Sequence, residues 1–363
     1  MKAIVITPGR KSVQLVDRPE PALGGPDDVK VEVASVGICG TDREEASGGR
    51  ARAPDGASQL VIGHEMLGRV VAVGSSVRRV KPGDLAVFTV RRGCGACTPC
   101  QMNRPDMCLT GRYTERGIDG RDGYQSQFAV DSEQYTVRIP AALQETGVLC
   151  EPLSVAEKAI DEAVRVQAAR LPDAGARPYW LYGRRCLVAG LGPIGLLAAL
   201  VLRLRGAEVW GLDVVDEASS RPSWLRKIGG SYIDGRRSPS PARAMELIFE
   251  STGVAALEFS LLDSLARDGV YVLTGIPGGE RPIQVEGAEL MRRLVLENQA
   301  MLGSVNASRD HFQMAVDDLE AASRRWGDLP AKLITHRFRP ENCAEALFTH
   351  DAEEIKAVIE WTK

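Results

Sequence analysis

The sequence predicts an α/β protein of two domains, a β-rich domain that is interrupted by a doubly wound, parallel-sheet domain suited to a dinucleotide. Three observations lead there. A chain of 363 residues is too long for one ordinary domain of roughly 100–200 residues. Up to about Val80 the text is short β-branched runs broken by Gly, Pro and Asp, among them KAIVIT, DVKVEVASVGICG and LVIGHEMLGRVVAVG, which read as antiparallel strands. At Arg185 the pattern changes to buried strand, glycine turn, helix and strand in RCLVAGLGPIGLLAALVLRLRGAEVWGLD. The β-rich domain is placed at 1–155 and 306–363, with a cysteine lobe at about 91–110, and the inserted domain at 156–305.

Composition narrows the partners. With 44% hydrophobic residues, 26% charged residues and a formal net charge of -3, the chain lacks the positive field that holds nucleic acid or anionic lipid. Its amino terminus reads as a strand pair and not as a signal peptide, and its longest apolar run, around Ile194 to Leu202, is too short to span a bilayer. A cytoplasmic protein acting on a small neutral molecule is expected, with neither nucleic acid nor membrane as partner.

In the β-rich domain, GICGTD supplies Cys39, VIGHEMLG supplies His64 and Glu65, and CEP supplies Glu151. Soft, borderline and hard donors of this kind suit one zinc ion with a coordination position open to substrate. Glu151 also reads as a dipole-complementing residue, because the stretch from Cys150 to about Ala169 has helical spacing.

After the VKPGDLAVF turn and strand, Cys94, Cys97, Cys100 and Cys108 fall in the aperiodic stretch GCGACTPCQMNRPDMC. Four thiolates at such spacing complete a tetrahedral, structural zinc; unrelated free thiols and an iron–sulfur cluster are the alternatives. Disulfides fit less well in a long chain without a secretion signal. Two zinc ions per chain are expected.

A Pro/Gly-bearing connection, LPDAGARPYWLYG, leads into the inserted domain. There the glycine turn runs Gly190, Leu191, Gly192, Pro193, Ile194, Gly195, and Asp213 ends the next strand. Glycines let the backbone approach a pyrophosphate at a helix amino terminus, while the carboxylate accepts from both ribose hydroxyls and repels a 2′-phosphate. NAD is therefore favoured, with NADP the alternative. Later strands, AMELIFESTG and GVYVLTGIPGG, flank a helical SLLDSLARD, and two loops face the nicotinamide half: TGIPG with Gly275, Ile276 and Pro277, and MLGSVN with Ser304, Val305 and Asn306. From about Ser308 the chain returns to the first domain; His311, His336 and His350 read as ordinary packed or surface residues.

GICGTD, GHE, PGD, the cysteine lobe and GLGPIG occur in the order seen in zinc-dependent medium-chain dehydrogenases, which the chain resembles over essentially its whole length. Glu65 directly after His64, the CEP, ERGIDGRDGY around Glu115, and GSVNAS with Asn306 followed by His311 make it similar to the microbial glucose (aldose) dehydrogenases within that family. The resemblance implies a GroES-like catalytic domain plus a Rossmann domain, assembled as a homodimer or homotetramer. It implies a catalytic zinc on Cys39 and His64, with Glu65 and Glu151 as direct or water-mediated, exchanging ligands. Thr41, Glu115, Glu151 and Asn306 would line the site of a small sugar, which is oxidised at C1 to a lactone with Thr41 hydrogen-bonding the reacting oxygen or taking its proton. A polyol or secondary-alcohol dehydrogenase and a catalytically silent nucleotide-binding relative are the rival readings.

Overall fold

The structure is a computed structural model that describes residues 1–172, 179–237, 244–278 and 282–362. Part of the expected connection between 171 and 183, residues 173–178, falls outside the described residues. Two compact units emerge, Met1–Ser154 with Asn306–Lys363, and Val155–Val305.

In the first unit, the strand Asp28–Ile38 organises the rest because it pairs on both edges: antiparallel to Glu65–Val73 and, along its length, to Phe128–Ser132 and Lys356–Glu360. Its alternation buries Val29, Val31 and Val33 in a core with Met66, Val70, Phe88 and Tyr124, which is what a half-buried strand of this pattern does. Leu85–Phe88 and Thr136–Ile139 extend the sheet on one side, and Ile334–Phe338 extends it on the other. The register puts Gly37 opposite Glu65. A Cβ on Gly37 would stand 2.0 Å from Glu65 Oε2, so the absent side chain is what lets that carboxylate enter the sheet interior.

The second unit is a six-stranded, all-parallel sheet in the spatial order Ser231–Asp234, Glu208–Asp213, Arg185–Ala189, Met245–Glu250, Leu265–Leu273, Ala300–Gly303. Strand order reverses between Arg185–Ala189 and Met245–Glu250, the topological switch point at which such sheets bind nucleotides. The α/β class with a doubly wound sheet is as expected from sequence. SLLDSLARD is corrected: its helical turns end at Ser264, and Leu265 opens a strand by pairing with Met245. Parallel pairing overrides the local helical period there.

Candidate active site

Cys39 stands where the central strand ends and a short helix, Gly40–Ala46, begins. Its backbone N–H donates to Asp42 Oδ2 at 2.7 Å, while Asp42 Oδ1 accepts from Gly63 N at 3.2 Å and lies 3.6 Å from His64 Nδ1. One buried carboxylate thus ties the cysteine turn to the histidine turn, with the imidazole beside it. Cys39 Sγ, a His64 ring nitrogen and a Glu65 oxygen all lie within 4.8 Å of one another. Cys39 Sγ is also 3.9 Å from Thr41 Oγ1.

Glu151 is not among the three residues whose ligand atoms fall within 4.8 Å of one another. It opens the helix Cys150–Arg170, buried, at the residue where the chain turns into that helix. Burial, reinforced by Glu65 and opposed by His64, pushes its carboxyl up to about 7. Glu65 in turn is held by a partner that sequence reading missed. Lys356 Nζ donates to Glu65 Oε1 at 2.5 Å and to Ile38 O at 2.9 Å, entirely inside the sheet. A buried cation without a carboxylate would be strongly unfavourable; the clue was a lysine inside the apolar run IKAVIE.

Two more acids near the cluster were missed. Asp42 is pushed up by burial, against the pull of His64, and Glu45, wholly buried with neither carboxyl oxygen hydrogen-bonded among the described residues, is pushed up to about 9. Burial opposes a charge on His64, yet Asp42, Cys39 and Glu151 together push it well above its ordinary value. A sulfur, an imidazole and a carboxylate converging in one site form a donor set that binds a divalent cation, and the residues present fit zinc.

At the cysteine lobe the sulfurs of Cys94, Cys97, Cys100 and Cys108 lie within 4.8 Å of one another, which unrelated free thiols would not do. Thr110 and the amides of Ala96 and Cys97 hold Cys94 at about 5, favouring the thiolate a metal requires. Gly93 is needed here, since a Cβ on it would come within 2.4 Å of Cys100 Sγ.

Of the expected sugar residues, two meet although 191 positions apart: Asn306 Nδ2 donates to Glu115 Oε1 at 2.7 Å. Asn306 adopts φ 62° and folds its own Oδ1 onto the amide of Ala307 at 2.9 Å.

In the second unit, Gly192 caps the helix Pro193–Leu204, with Pro193 and Ile194 in its first turn. Gly195 packs so tightly that a Cβ would lie 1.8 Å from Gly190 O. Asp213 Oδ2 accepts from Leu191 N at 2.8 Å, which joins the strand end to the glycine turn. Arg221, unnoticed in the sequence, brings Nη1 to 3.8 Å from the same carboxylate oxygen. Gly275, Ile276 and Pro277 follow the strand Leu265–Leu273; Ser304 and Val305 follow Ala300–Gly303, bonded to Glu162 and Lys158.

Comparison with known proteins places this geometry. Residues 144–361 match the family described as glucose dehydrogenase C-terminus, and 25–141 match the alcohol dehydrogenase GroES-like domain. A glucose 1-dehydrogenase of Methanocella arvoryzae is 37% identical, covering 99% of each chain, as is one of Thermoproteus tenax at 37% and 99% of each. Among solved structures, the Haloferax mediterranei glucose dehydrogenase in complex with NADP, Zn and gluconolactone superposes with a TM-score of 0.88 at 31% identity, covering 100% of both chains.

Proposed function

The chain belongs to the zinc-dependent medium-chain dehydrogenases, in their glucose dehydrogenase branch, and from that premise we propose that it oxidises an aldose such as D-glucose at C1 to the lactone, delivering hydride to a nicotinamide dinucleotide. The observation that carries the reading is the convergence of Cys39, His64 and Glu65 within 4.8 Å, which would hold the catalytic ion, with Glu151 as a further, exchanging or water-mediated ligand. Zinc when bound there supplies a Lewis acid that acidifies a coordinated hydroxyl, and the nicotinamide supplies the hydride acceptor. A second zinc belongs to Cys94, Cys97, Cys100 and Cys108.

The chain's own residues do the rest. Thr41, whose hydroxyl is 3.9 Å from Cys39 Sγ, hydrogen-bonds the reacting oxygen or receives its proton. Glu151, pushed up to about 7, is suited to take that proton near neutral pH. Lys356 Nζ, donating to Glu65 Oε1, holds that carboxylate in place, and Asp42 Oδ1 lies 3.6 Å from Nδ1 of His64. Glu115 and Asn306 grip sugar hydroxyls, supplying a carboxylate acceptor and an amide beside the reacting carbon.

Asp213, at the end of its strand and bonded to Leu191 N, supports NAD as the favoured cofactor. Arg221 beside it offers a cation to a 2′-phosphate, so NADP use at lower efficiency follows. The strand Ala300–Gly303 is a sheet edge with Met301 exposed, which supports a homodimer or homotetramer built by pairing with a second copy. No helix among the described residues is long and apolar enough to cross a membrane, and a cytoplasmic location suits the reduced thiols.

A panel of aldoses and polyols tests this, with reduced nicotinamide read at its absorbance and each cofactor used in turn. D-Glucose or another aldose is expected to exceed sorbitol and butanediol by at least about ten-fold in kcat/KM, with NAD preferred over NADP. Faster oxidation of a polyol than of every aldose would replace this function with the rival one, and no turnover of either would leave a silent nucleotide binder.

A further inference from the structure

We propose that Arg91 is a positioning residue for the sugar, transmitting the order of the cysteine lobe to the Glu115–Asn306 pair. The inference rests on the reading of Glu115 and Asn306 as sugar ligands and adds a residue that neither zinc motif nor glycine turn points to. Arg91 lies in the two-residue strand Arg91–Arg92, three positions before Cys94, and the register sets it directly opposite Glu115. Its guanidinium is almost wholly buried, with 9% of the side chain exposed. Nε donates to Glu115 Oε1 at 3.0 Å and Nη2 lies 3.0 Å from the same oxygen. The third nitrogen, Nη1, reaches the other way and donates to Asp106 O at 2.8 Å, in the turn Pro105–Met107 that leads into Cys108. Tyr113 lies under the guanidinium plane, 4.0 Å from ring centroid to Cζ.

The consequences follow from the geometry of a planar fork. Nε and Nη2 of Arg91 and Nδ2 of Asn306 all approach Oε1 of Glu115, so that oxygen is pinned by two side chains, leaving Oε2 as the oxygen for a sugar hydroxyl. The two guanidinium nitrogens give that oxygen a charge-assisted contact. Because Arg91 is anchored at its far end on a carbonyl of the lobe, the lobe's closure around its four sulfurs sets where Glu115 sits. A Lys at this position would keep the charge but lose the fork and could not span both partners.

The test uses the zinc-loaded enzyme and three variants, Arg91→Met, Arg91→Lys and Glu115→Gln, with the double variant Arg91→Met/Glu115→Gln. Arg91→Met is expected to raise KM for glucose by roughly ten-fold or more, with kcat changed far less. Calorimetry with 1,5-anhydroglucitol, which has no oxidisable anomeric hydroxyl, should show the same weakening, while nicotinamide binding followed by fluorescence stays at the wild-type value. Arg91→Lys should recover only part of the loss, and the double variant should be no worse than Glu115→Gln, since Arg91 acts through Glu115. An unchanged KM in an Arg91→Met protein that folds, or additive losses in the double variant, would overturn the role. If Arg91→Met does not fold, Arg91→Lys decides by the same KM criterion. A wild-type protein that oxidises no aldose overturns the functional reading itself and this role with it.

Discussion

Replacing Cys39 by Ala is expected to lower kcat/KM for glucose by about a thousand-fold or more, because it removes the one sulfur donor of the open metal site and with it a Lewis acid worth several kcal/mol in the transition state. The loss should be confined to chemistry. The Asp42 carboxylate accepts from the backbone N–H of Cys39, so this half of the capping box survives, while the half in which the Cys39 side chain accepts from the Asp42 backbone N–H is lost. The four sulfurs of the lobe lie elsewhere in the chain, and the glycine turn belongs to the other unit. Metal analysis should therefore show one zinc fewer per chain, with nicotinamide binding and thermal stability near the wild type. Retention of most activity with both zinc ions still bound would remove Cys39 from the site.

The largest expected effect on stability comes from Asp131. Two buried guanidinium groups converge on it: Arg92 Nη2 at 2.5 Å and Arg116 Nη2 at 2.8 Å, both from Oδ2. Tyr124 donates to the same oxygen at 3.4 Å, and Arg92 stacks 3.9 Å over the ring of Tyr135. Burial works against the charged carboxylate, but Arg92 and Arg116 outweigh it and hold Asp131 at about 2. Asp131→Ala would leave two cations buried with one acceptor missing, a loss of roughly 3–5 kcal/mol for a broken buried pair, read as a lower denaturant midpoint with unchanged slope. The pH dependence has a definite sign. A carboxyl depressed on folding contributes its full stability above the unfolded value near ~3.9, and loses it as pH falls toward about 2. The wild type should therefore lose stability across that acid window more steeply than the Ala variant.

What could be read from sequence was whatever the backbone or the spacing dictates. The glycine turn was legible because only glycine fits where a Cβ would stand 1.8 Å from Gly190 O. The cysteine lobe was legible because short spacing on an aperiodic loop brings sulfurs together without help from distant chain. Glu115 and Asn306 were reached through resemblance alone, since nothing local predicts a bond across 191 residues. Contacts that need the tertiary fold were missed: Lys356 meets Glu65 across 291 positions, and Asp131 collects Arg92 across 39 positions and Arg116 across 15. Asp42 was passed over because an acid in the first turn of a helix ordinarily serves its dipole. Glu151 combines a residue type apt for zinc with a place at a helix start, where an acid also complements the dipole.

The central claim is that this protein takes hydride from C1 of an aldose, and D-glucose deuterated at C1 tests it most directly. With zinc-loaded enzyme and NAD, the account predicts deuterium at C4 of the reduced nicotinamide and an unlabelled gluconolactone. Deuterium kept in the sugar product while the nicotinamide is reduced, or reduction without any lactone, would contradict it.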